Sequence, residues 1–317
     1  MLHAEVGLVV LVALLSGASF AQHSAPAPER WKLALGENGF VSGDMWGYQI
    51  TCDEILRHAA ELGYEGIELM NAIEPFPDPE DEQAVQRLRE RYERLGLKII
   101  GLQCAPRRGR AISPDPRERR AYAQEIIRHL RLVKALGGEY AGVWPGGRRP
   151  DLPDEVIVRR LADVFRQVAP VAEELGIKFT IEPEPVQIDY NYDIALRIIE
   201  ATGSPMFGVI YDPTHAATTS GGDPLGVLER VGKRIFHVHF ADSDGTQLVH
   251  NGRVHSSKHL AAGEGNLDLR AILRKLKQVG YRGWIQVDMW QNPTPLESSR
   301  KTKAFLDKVL DELWPQR

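Results

Sequence analysis

The chain has 317 residues, 43% of them hydrophobic and 26% charged, and its formal net charge is −4. This is a globular composition, the length suits a single α/β barrel, and the mild acidity gives no reason to expect a nucleic acid partner. The two cysteines, Cys52 and Cys104, are too few for a disulfide framework, and we expect buried thiols rather than a bridge between them.

The N-terminal residues differ in kind from the rest of the chain. An apolar run over residues 6–15 is followed by small residues up to Ala21. This pattern predicts a secretory signal peptide over residues 1–21, and the run is shorter than the ~20 residues needed to span a bilayer. We therefore expect an exported protein, periplasmic or secreted, with no stable membrane association after cleavage and with residues 22–30 as a disordered lead-in. Because the front end carries Glu5 and no Lys or Arg, an uncleaved N-terminal anchor or a misassigned start is the alternative.

Strand-like and helix-like segments alternate from residue 31 to residue 313. Eight runs are short and rich in apolar residues, as expected for parallel strands covered by helices. These predicted strands are Trp31–Leu35, Tyr64–Met70, Lys98–Gln103, Tyr140–Trp144, Lys178–Glu182, Phe207–Asp212, Ile235–Phe240 and Trp284–Asp288. Helices are predicted between and after them, near residues 51–62, 80–95, 116–136, 154–176, 191–202, 223–232, 267–279 and 296–312. Eight strands, each followed by a helix, predict a single α/β domain, a (β/α)8 TIM barrel over residues 31–313, with a doubly wound open sheet as the alternative.

Four acidic or imidazole side chains each stand at the end of one of these predicted strands. They are Glu182, Asp212, His239 and Asp288. In a parallel barrel the C-terminal strand ends converge on one face, so residues remote in sequence become neighbours there. Three carboxylates and an imidazole suit a divalent cation, and Mn, Mg, Co and Zn are all compatible with them. The sequence therefore predicts a site for one divalent metal ion.

Two further residues lie close in sequence to these candidate ligands. His215 follows Asp212 by three residues, which either places both groups in one pocket or forms an Asp–His hydrogen bond that caps the next helix. Glu184 lies on the same side of an extended stretch as Glu182, so it is either a second acid of the pocket or a solvated loop acid. His215 and Glu184 are therefore candidate substrate-binding residues.

Five other residues are candidates for contact with a substrate. His237 points to the same face as His239, and because a buried imidazole needs a partner, it either contacts substrate or supports the ligand. Glu264 lies in a Gly-Glu-Gly-Asn turn, which either orients a ligand or is a plain surface turn. Three tryptophans at strand-end loops either wall a substrate cavity or pack in the core. They are Trp46, Trp144 and Trp290.

Arginines crowd two neighbouring loops after the third and fourth predicted strands. They are Arg107, Arg108, Arg110, Arg148 and Arg149. Such groups either grip a phosphate or carboxylate or stay solvated, and an exported enzyme would seldom meet sugar phosphates.

Six motifs between residues 31 and 313 carry a resemblance to a known family. They read GYEGIEL, IEPEP, YDPTHA, FHVHFADSD, GEGNLDL and GWIQVDMW. Together they resemble the sugar phosphate isomerase/epimerase family, the xylose-isomerase-like barrels that include ketose 3-epimerases, hexulose-phosphate epimerases and inosose dehydratases. The resemblance implies one metal ion held by the four candidate ligands and a substrate contact from His215. The chain departs from the family at Asp288, where a glutamate is usual and would reach further.

The same resemblance implies a reaction class. It indicates a metal-dependent sugar isomerase or epimerase that acts on a keto-sugar or sugar derivative by proton transfer through a metal-bound enediolate. Glu182 is the expected base, and Asp288 is its partner or a pure ligand. A dehydratase or lyase acting on an inosose or a 3-keto-glycoside is the alternative, since these outcomes differ in pocket shape rather than in ligands. A non-catalytic carbohydrate-binding barrel is the second alternative. We expect a small-molecule sugar as the partner, and the oligomeric state is left open, a homo-oligomer included.

Related apurinic-site endonucleases use three zinc ions and extra histidines at the third and fourth strand ends. Here those positions read Gln-Cys-Ala over residues 103–105 and Trp-Pro-Gly over residues 144–146. The resemblance therefore does not extend to a three-metal DNA-repair site.

Overall fold

Ten strands are present in a computed structural model of the protein, which describes residues 29–73 and 75–315. They are β1 (Leu33–Gly36), β2 (Gly66–Met70), β3 (Lys98–Cys104), β4 (Tyr140–Val143), β5 (Lys178–Ile181), β6 (Phe207–Tyr211), β7 (Ile235–Phe240), β8 (Gln247–His250), β9 (Arg253–Ser257) and β10 (Ile285–Val287). Eight of them are parallel and close into a barrel in the order β1-β10-β7-β6-β5-β4-β3-β2. The predicted signal peptide and the predicted lead-in up to residue 28 lie outside the described residues.

Helices follow every strand of the barrel. They are α1 (Gly43–Trp46), α2 (Cys52–Glu61), α3 (Glu82–Glu93), α4 (Pro116–Leu136), α5 (Asp154–Leu175), α6 (Tyr192–Thr202), α7 (Pro213–Thr219), α8 (Pro224–Val231), α9 (Leu269–Gln278) and α10 (Pro295–Leu313). The predicted (β/α)8 TIM barrel is confirmed, and the alternative of an open sheet is wrong.

Local sequence explains where the first long helix begins and ends. Thr51 and Glu54 form a capping box at the start of α2: the Glu54 carboxylate accepts from the Thr51 backbone N–H at 2.8 Å, and the Thr51 hydroxyl accepts from the Glu54 backbone N–H at 3.3 Å. Ile55 and Ala59 lie on the buried face of the helix. Gly63, with φ of 71°, supplies the left-handed residue that turns the chain towards β2.

Most of the apolar core fills the space between the strands and the helices. Phe165 of α5 packs there against Phe179 and Phe207, whose rings stack with centroids 4.5 Å apart. A second, small cluster of buried apolar side chains lies inside the barrel. It consists of Ala34, Ile100, Tyr140, Ile210 and Trp284. Polar side chains occupy the rest of the barrel interior, towards the C-terminal strand ends.

The β8–β9 hairpin and the helix α7 were absent from the sequence prediction. Strands β8 and β9 form an antiparallel hairpin between β7 and α9, with Asn251 and Gly252 at its turn in left-handed conformations. The short helix α7 begins directly after Asp212, which is its N-cap. Both elements stand at the C-terminal end of the barrel and supply residues to the site described below.

The cysteine prediction is confirmed in its main point. No disulfide joins Cys52 and Cys104. Cys104 is fully buried, whereas Cys52 is only half-buried at the start of α2. Within residues 29–73 and 75–315, no helix has the length and apolarity that a membrane crossing requires.

Candidate metal centre

The barrel brings four predicted ligands together at its C-terminal end. Glu182, Asp212, His239 and Asp288 each offer one ligand atom, and these atoms all lie within 4.8 Å of one another. All four residues are at most 1% exposed. Glu182, Asp212 and Asp288 directly follow β5, β6 and β10, and His239 lies in β7. The parallel register of the strands therefore produces the cluster.

His239 lies between two of the carboxylates. Its Nδ1 atom is 2.5 Å from Oε1 of Glu182 and 3.1 Å from Oδ2 of Asp288. Burial works against protonation of His239, but the charges of Glu182 and Glu68 outweigh it, and the pKa of His239 lies well above its usual value. The imidazolium thus compensates part of the buried negative charge.

Each carboxylate is held by further donors. Oε2 of Glu182 accepts hydrogen bonds from the Gln103 amide at 2.9 Å and from the Trp144 indole N–H at 3.0 Å. Oδ2 of Asp288 accepts from the Asn38 amide at 2.8 Å. Glycine at position 142 makes room for Gln103, because a Cβ there would lie 1.6 Å from the Gln103 Oε1 atom. These contacts fix the orientation of both carboxylates before any ligand arrives.

Asp212 is held differently, at the start of a helix. Its Oδ1 atom accepts from the backbone N–H groups of Thr214 at 2.6 Å and His215 at 3.3 Å, so Asp212 caps α7. Its Oδ2 atom lies 3.1 Å from Nε2 of His259. Burial opposes ionisation of Asp212, but the charges of His215 and His259 outweigh it and lower the pKa of Asp212. The same contact with Asp212, working against burial, raises the pKa of His259 to about 9.

This donor set fits a divalent cation. Three carboxylates in one buried cluster need positive charge nearby, since burial of unpaired anions is costly. Carboxylate oxygens and one imidazole nitrogen are ligands that Mn, Mg, Co and Zn accept. A cation bound by Nδ1 of His239 would replace the proton that this nitrogen carries between Glu182 and Asp288.

The β8–β9 hairpin orders the other polar groups of the site. Ser257 Oγ lies 3.0 Å from Nδ1 of His215, whose Nε2 atom is 4.0 Å from Oε1 of Glu182. The Ser256 hydroxyl donates to Oε2 of Glu184 at 2.8 Å. Burial and the neighbouring charge of Glu182 hold the pKa of Glu184 well above its usual value, which favours the protonated form of this acid.

Two of the predicted tryptophans stand together beside this cluster. The rings of Trp144 and Trp290 lie 5.4 Å apart between centroids, and the Trp144 N–H contacts Glu182 directly. Trp46 is half-buried further out, where its N–H donates to the Gln291 carbonyl at 2.9 Å and its ring lies edge-on to His250.

Two other predicted site residues lie outside the four-ligand cluster. His237 is deeper in the barrel, where its ring stacks on Tyr140 with centroids 4.2 Å apart and lies edge-on to His239 at 5.2 Å. It therefore borders one candidate ligand from below. Glu264 is exposed, pairs with Lys301 at 2.9 Å and does not approach the candidate ligands.

The arginine-rich loops make local contacts. Arg149 pairs with Asp151 at 2.7 Å, and Arg148 stacks its guanidinium on the ring of Tyr190 at 3.9 Å. Arg110 lies 3.5 Å from Glu118.

Sequence reasoning missed four residues that contact the candidate ligands, namely Asn38, Glu68, Gln103 and His259, and it also missed Ser257, which contacts His215. Glu68 is the one polar side chain of β2, and Gln103 follows the buried residues 99–102 of β3; a buried polar residue in such a run is the signal that could have found them. Ser257 and His259 depend on the hairpin, whose Asn-Gly turn was the available signal.

Comparison with known proteins agrees with this geometry. A family model described as a xylose isomerase-like TIM barrel matches residues 56–309. The chain belongs to the xylose isomerase-like TIM barrel family. Within it, the chain is 25% identical over 306 residues to an inosose dehydratase of Geobacillus kaustophilus, covering 89% of this chain and 96% of that protein.

Two other relatives of the xylose isomerase-like barrel illustrate its range. A fructoselysine 3-epimerase of Escherichia coli O157:H7 is 24% identical over 274 residues, covering 82% of this chain and 94% of that protein. A crystal structure of the IolI protein with a bound zinc atom superposes with a TM-score of 0.71 at 20% identity, over 90% of this chain and all of that one. The two relatives named by activity are thus a dehydratase and an epimerase.

Proposed function

We propose that this xylose isomerase-like barrel is a divalent-metal-dependent isomerase or epimerase that acts on a keto-sugar or a related polyol ketone. The observation that carries the proposal is the buried cluster of Glu182, Asp212, His239 and Asp288, with all four ligand atoms within 4.8 Å. Its relatives among epimerases and dehydratases support the same class of chemistry.

The candidate ligands would hold the cation through three carboxylates and Nδ1 of His239. When bound, the cation supplies the positive charge that stabilises the oxygens of an enediolate. The IolI structure of the same fold contains a zinc atom, which supports metal binding by a barrel of this kind.

The protein's own groups would carry the proton. Glu182 is our candidate base. Gln103 and Trp144 hold its Oε2 atom, which leaves its Oε1 atom facing the other candidate ligands. Asp288 reaches the same imidazole nitrogen as Glu182, so it is placed to act as the second carboxylate that returns the proton. The Asn38 amide holds the shorter aspartate in position.

Substrate binding would involve groups around this pair. His215 has Nδ1 tied to Ser257, which leaves Nε2 directed towards Glu182 for contact with a substrate oxygen. Trp144 and Trp290 would form an apolar wall against a sugar ring.

One observation favours dehydration as the second candidate function. Glu184 is a buried acid with a raised pKa near Glu182 and His215, and epimerisation by two carboxylates does not require it. In a dehydration, Glu182 would take the proton from carbon, the C–O bond at the next carbon would break, and Glu184 would protonate the leaving hydroxide to give water. The inosose dehydratase relatives support this alternative.

We further propose that the chain is exported after removal of residues 1–21, as the apolar run and the small residues before Gln22 indicate. Its partner would then be a sugar outside the cytoplasm.

A panel of ketoses and inososes, tested with and without Mn²⁺ after chelator treatment, examines the proposed function directly. We expect turnover of at least one ketose that is lost with the metal and restored by Mn²⁺. Metal-dependent loss of water from an inosose would instead favour the second candidate. Binding of sugars without any turnover would identify a non-catalytic carbohydrate-binding barrel.

A further inference from the structure

A layer of buried polar side chains lies beneath the candidate ligands, inside the barrel. Its members are Glu68, Tyr140, His237 and Gln286, each at most 2% exposed. A carboxylate at such depth is costly unless its oxygens are hydrogen-bonded or paired, so this layer requires an explanation beyond packing.

The donor and acceptor of each hydrogen bond within the layer can be assigned. Glu68 accepts a hydrogen bond from the Tyr140 hydroxyl at 2.6 Å and another from the Gln286 amide at 3.0 Å. Because the Gln286 nitrogen donates to Glu68, its oxygen is the acceptor of the 2.9 Å hydrogen bond from Nε2 of His237. Glycine at position 36 leaves room for the amide, since a Cβ there would lie 2.3 Å from the Gln286 nitrogen.

The upper end of the layer faces His239. Oε2 of Glu68 lies 3.4 Å from Nε2 of His239, and this nitrogen is buried with no hydrogen-bond partner. The other ring nitrogen, Nδ1, is the one that faces Glu182 and Asp288. If Nδ1 is to bind a cation, the ring proton must reside on Nε2, next to the Glu68 carboxylate.

We infer that Glu68 is a positioning residue for the metal ligand His239. Its carboxylate accepts the Nε2–H of His239, fixes that tautomer and ring orientation, and makes Nδ1 a stronger ligand. Tyr140 and Gln286 hold Glu68 at the required place. This inference rests on the proposed metal-dependent function and adds a residue that acts on the metal through His239.

The test compares Mn²⁺ affinity in chelator-treated wild type and Glu68→Gln, measured by calorimetric titration of the full chain. Loss of such a supporting carboxylate commonly weakens metal binding by roughly 10–100-fold, and we expect a loss in that range. Glu65→Gln is the matched control, because Glu65 is exposed three residues earlier and should leave the affinity unchanged.

Two further measurements separate positioning from a merely structural role. In the Zn²⁺-loaded wild type, ¹⁵N NMR should show His239 protonated on Nε2, with the signal assigned by its loss in His239→Asn. Tyr140→Phe keeps the Glu68 carboxylate but removes its 2.6 Å hydrogen bond from Tyr140, so it should weaken Mn²⁺ binding less than Glu68→Gln does. If Glu68→Gln does not fold, the Mn²⁺ affinity of Tyr140→Phe is the deciding measurement.

Failure of the inference is distinguishable from failure of the proposed function. Wild-type affinity in folded Glu68→Gln, or in Tyr140→Phe where that variant decides, would overturn the role of Glu68 alone. A wild-type protein that binds no Mn²⁺ or Zn²⁺ would overturn both.

Discussion

Asp212 combines two roles at one position of the chain. Its Oδ1 atom caps α7, and its carboxylate belongs to the candidate ligand cluster. A substitution that preserves the cap but removes the charge can therefore separate folding from metal binding, because asparagine is as good an N-cap as aspartate.

We predict that Asp212→Asn folds normally but binds metal more weakly than wild type. Its loss of metal affinity should exceed the roughly 10–100-fold that follows when a residue supporting a ligand is removed. Metal analysis of the purified variant, alongside its thermal unfolding, measures both effects. Asp81→Asn is the control, since Asp81 caps α3 through the Ala84 N–H at 2.9 Å and is not among the candidate ligands. Full metal occupancy in folded Asp212→Asn would contradict the ligand assignment.

At the scale of elements, the β8–β9 hairpin covers the site and contacts its substrate-facing polar residues. Ser256 contacts Glu184, and Ser257 contacts His215, although both serines lie in a segment between two barrel units. The hairpin should therefore influence substrate handling more than metal binding.

Ser257→Ala tests this division. Removing one hydrogen bond to His215 costs about 0.5–1.5 kcal/mol, so we expect kcat/KM to fall by roughly 2- to 12-fold. Metal affinity should stay at the wild-type value, because the Ser257 side chain touches no candidate ligand. A parallel loss of metal would show that the hairpin supports the cluster itself.

The same scale explains which features were predictable from sequence. Glu182, Asp212 and Asp288 each follow an apolar strand directly, so a local pattern was enough to place them at one barrel face. Ile235–Phe240 was predicted with its observed bounds for the same reason. The hairpin was missed although Asn251-Gly252 is a strong turn signal, because its strands are short and carry mixed polarity.

Residues that act across the barrel could not be derived in the same way. Glu68 in β2 and His239 in β7 belong to strands that are not neighbours, and only closure of the barrel brings their side chains to 3.4 Å. His259 approaches Asp212 only after the hairpin has reversed the chain. Sequence periodicity therefore cannot predict the Glu68–His239 contact or the His259–Asp212 contact.

At the scale of the whole molecule, a buried histidine should make stability depend on pH. His129 of α4 packs edge-on against Phe76, and its Nδ1 atom is buried without a hydrogen-bond partner. Burial lowers the pKa of His129 from 6.5 to about 4. As the pH falls below 6.5, the unfolded chain takes up the proton first, so the folded state loses stability until about pH 4.

Between pH 7 and pH 5 this single histidine should remove about 2 kcal/mol from the free energy of unfolding. Urea unfolding of wild type and His129→Gln at both pH values measures it. The variant should lose about 2 kcal/mol less than wild type over this interval. Equal losses in the two proteins would show that folding does not lower the pKa of His129.

The proposed export of the chain has an equally direct check. We predict that protein isolated from its native host begins near Gln22, because the small residues up to Ala21 form the expected cleavage site. Intact-mass measurement of the native protein reads the start of the chain. A mass that includes Met1, found in a cytoplasmic fraction, would refute export.

Proton transfer beside a carbonyl is the central step of the proposed reaction, and turnover in deuterated water tests it most directly. With a ketose that the Mn²⁺-loaded enzyme converts, we predict deuterium on the carbon next to the carbonyl. Glu182→Gln should reduce this exchange by roughly 10²–10⁴-fold, because an amide cannot accept the proton. Product that forms without solvent deuterium would contradict proton transfer through an enediolate.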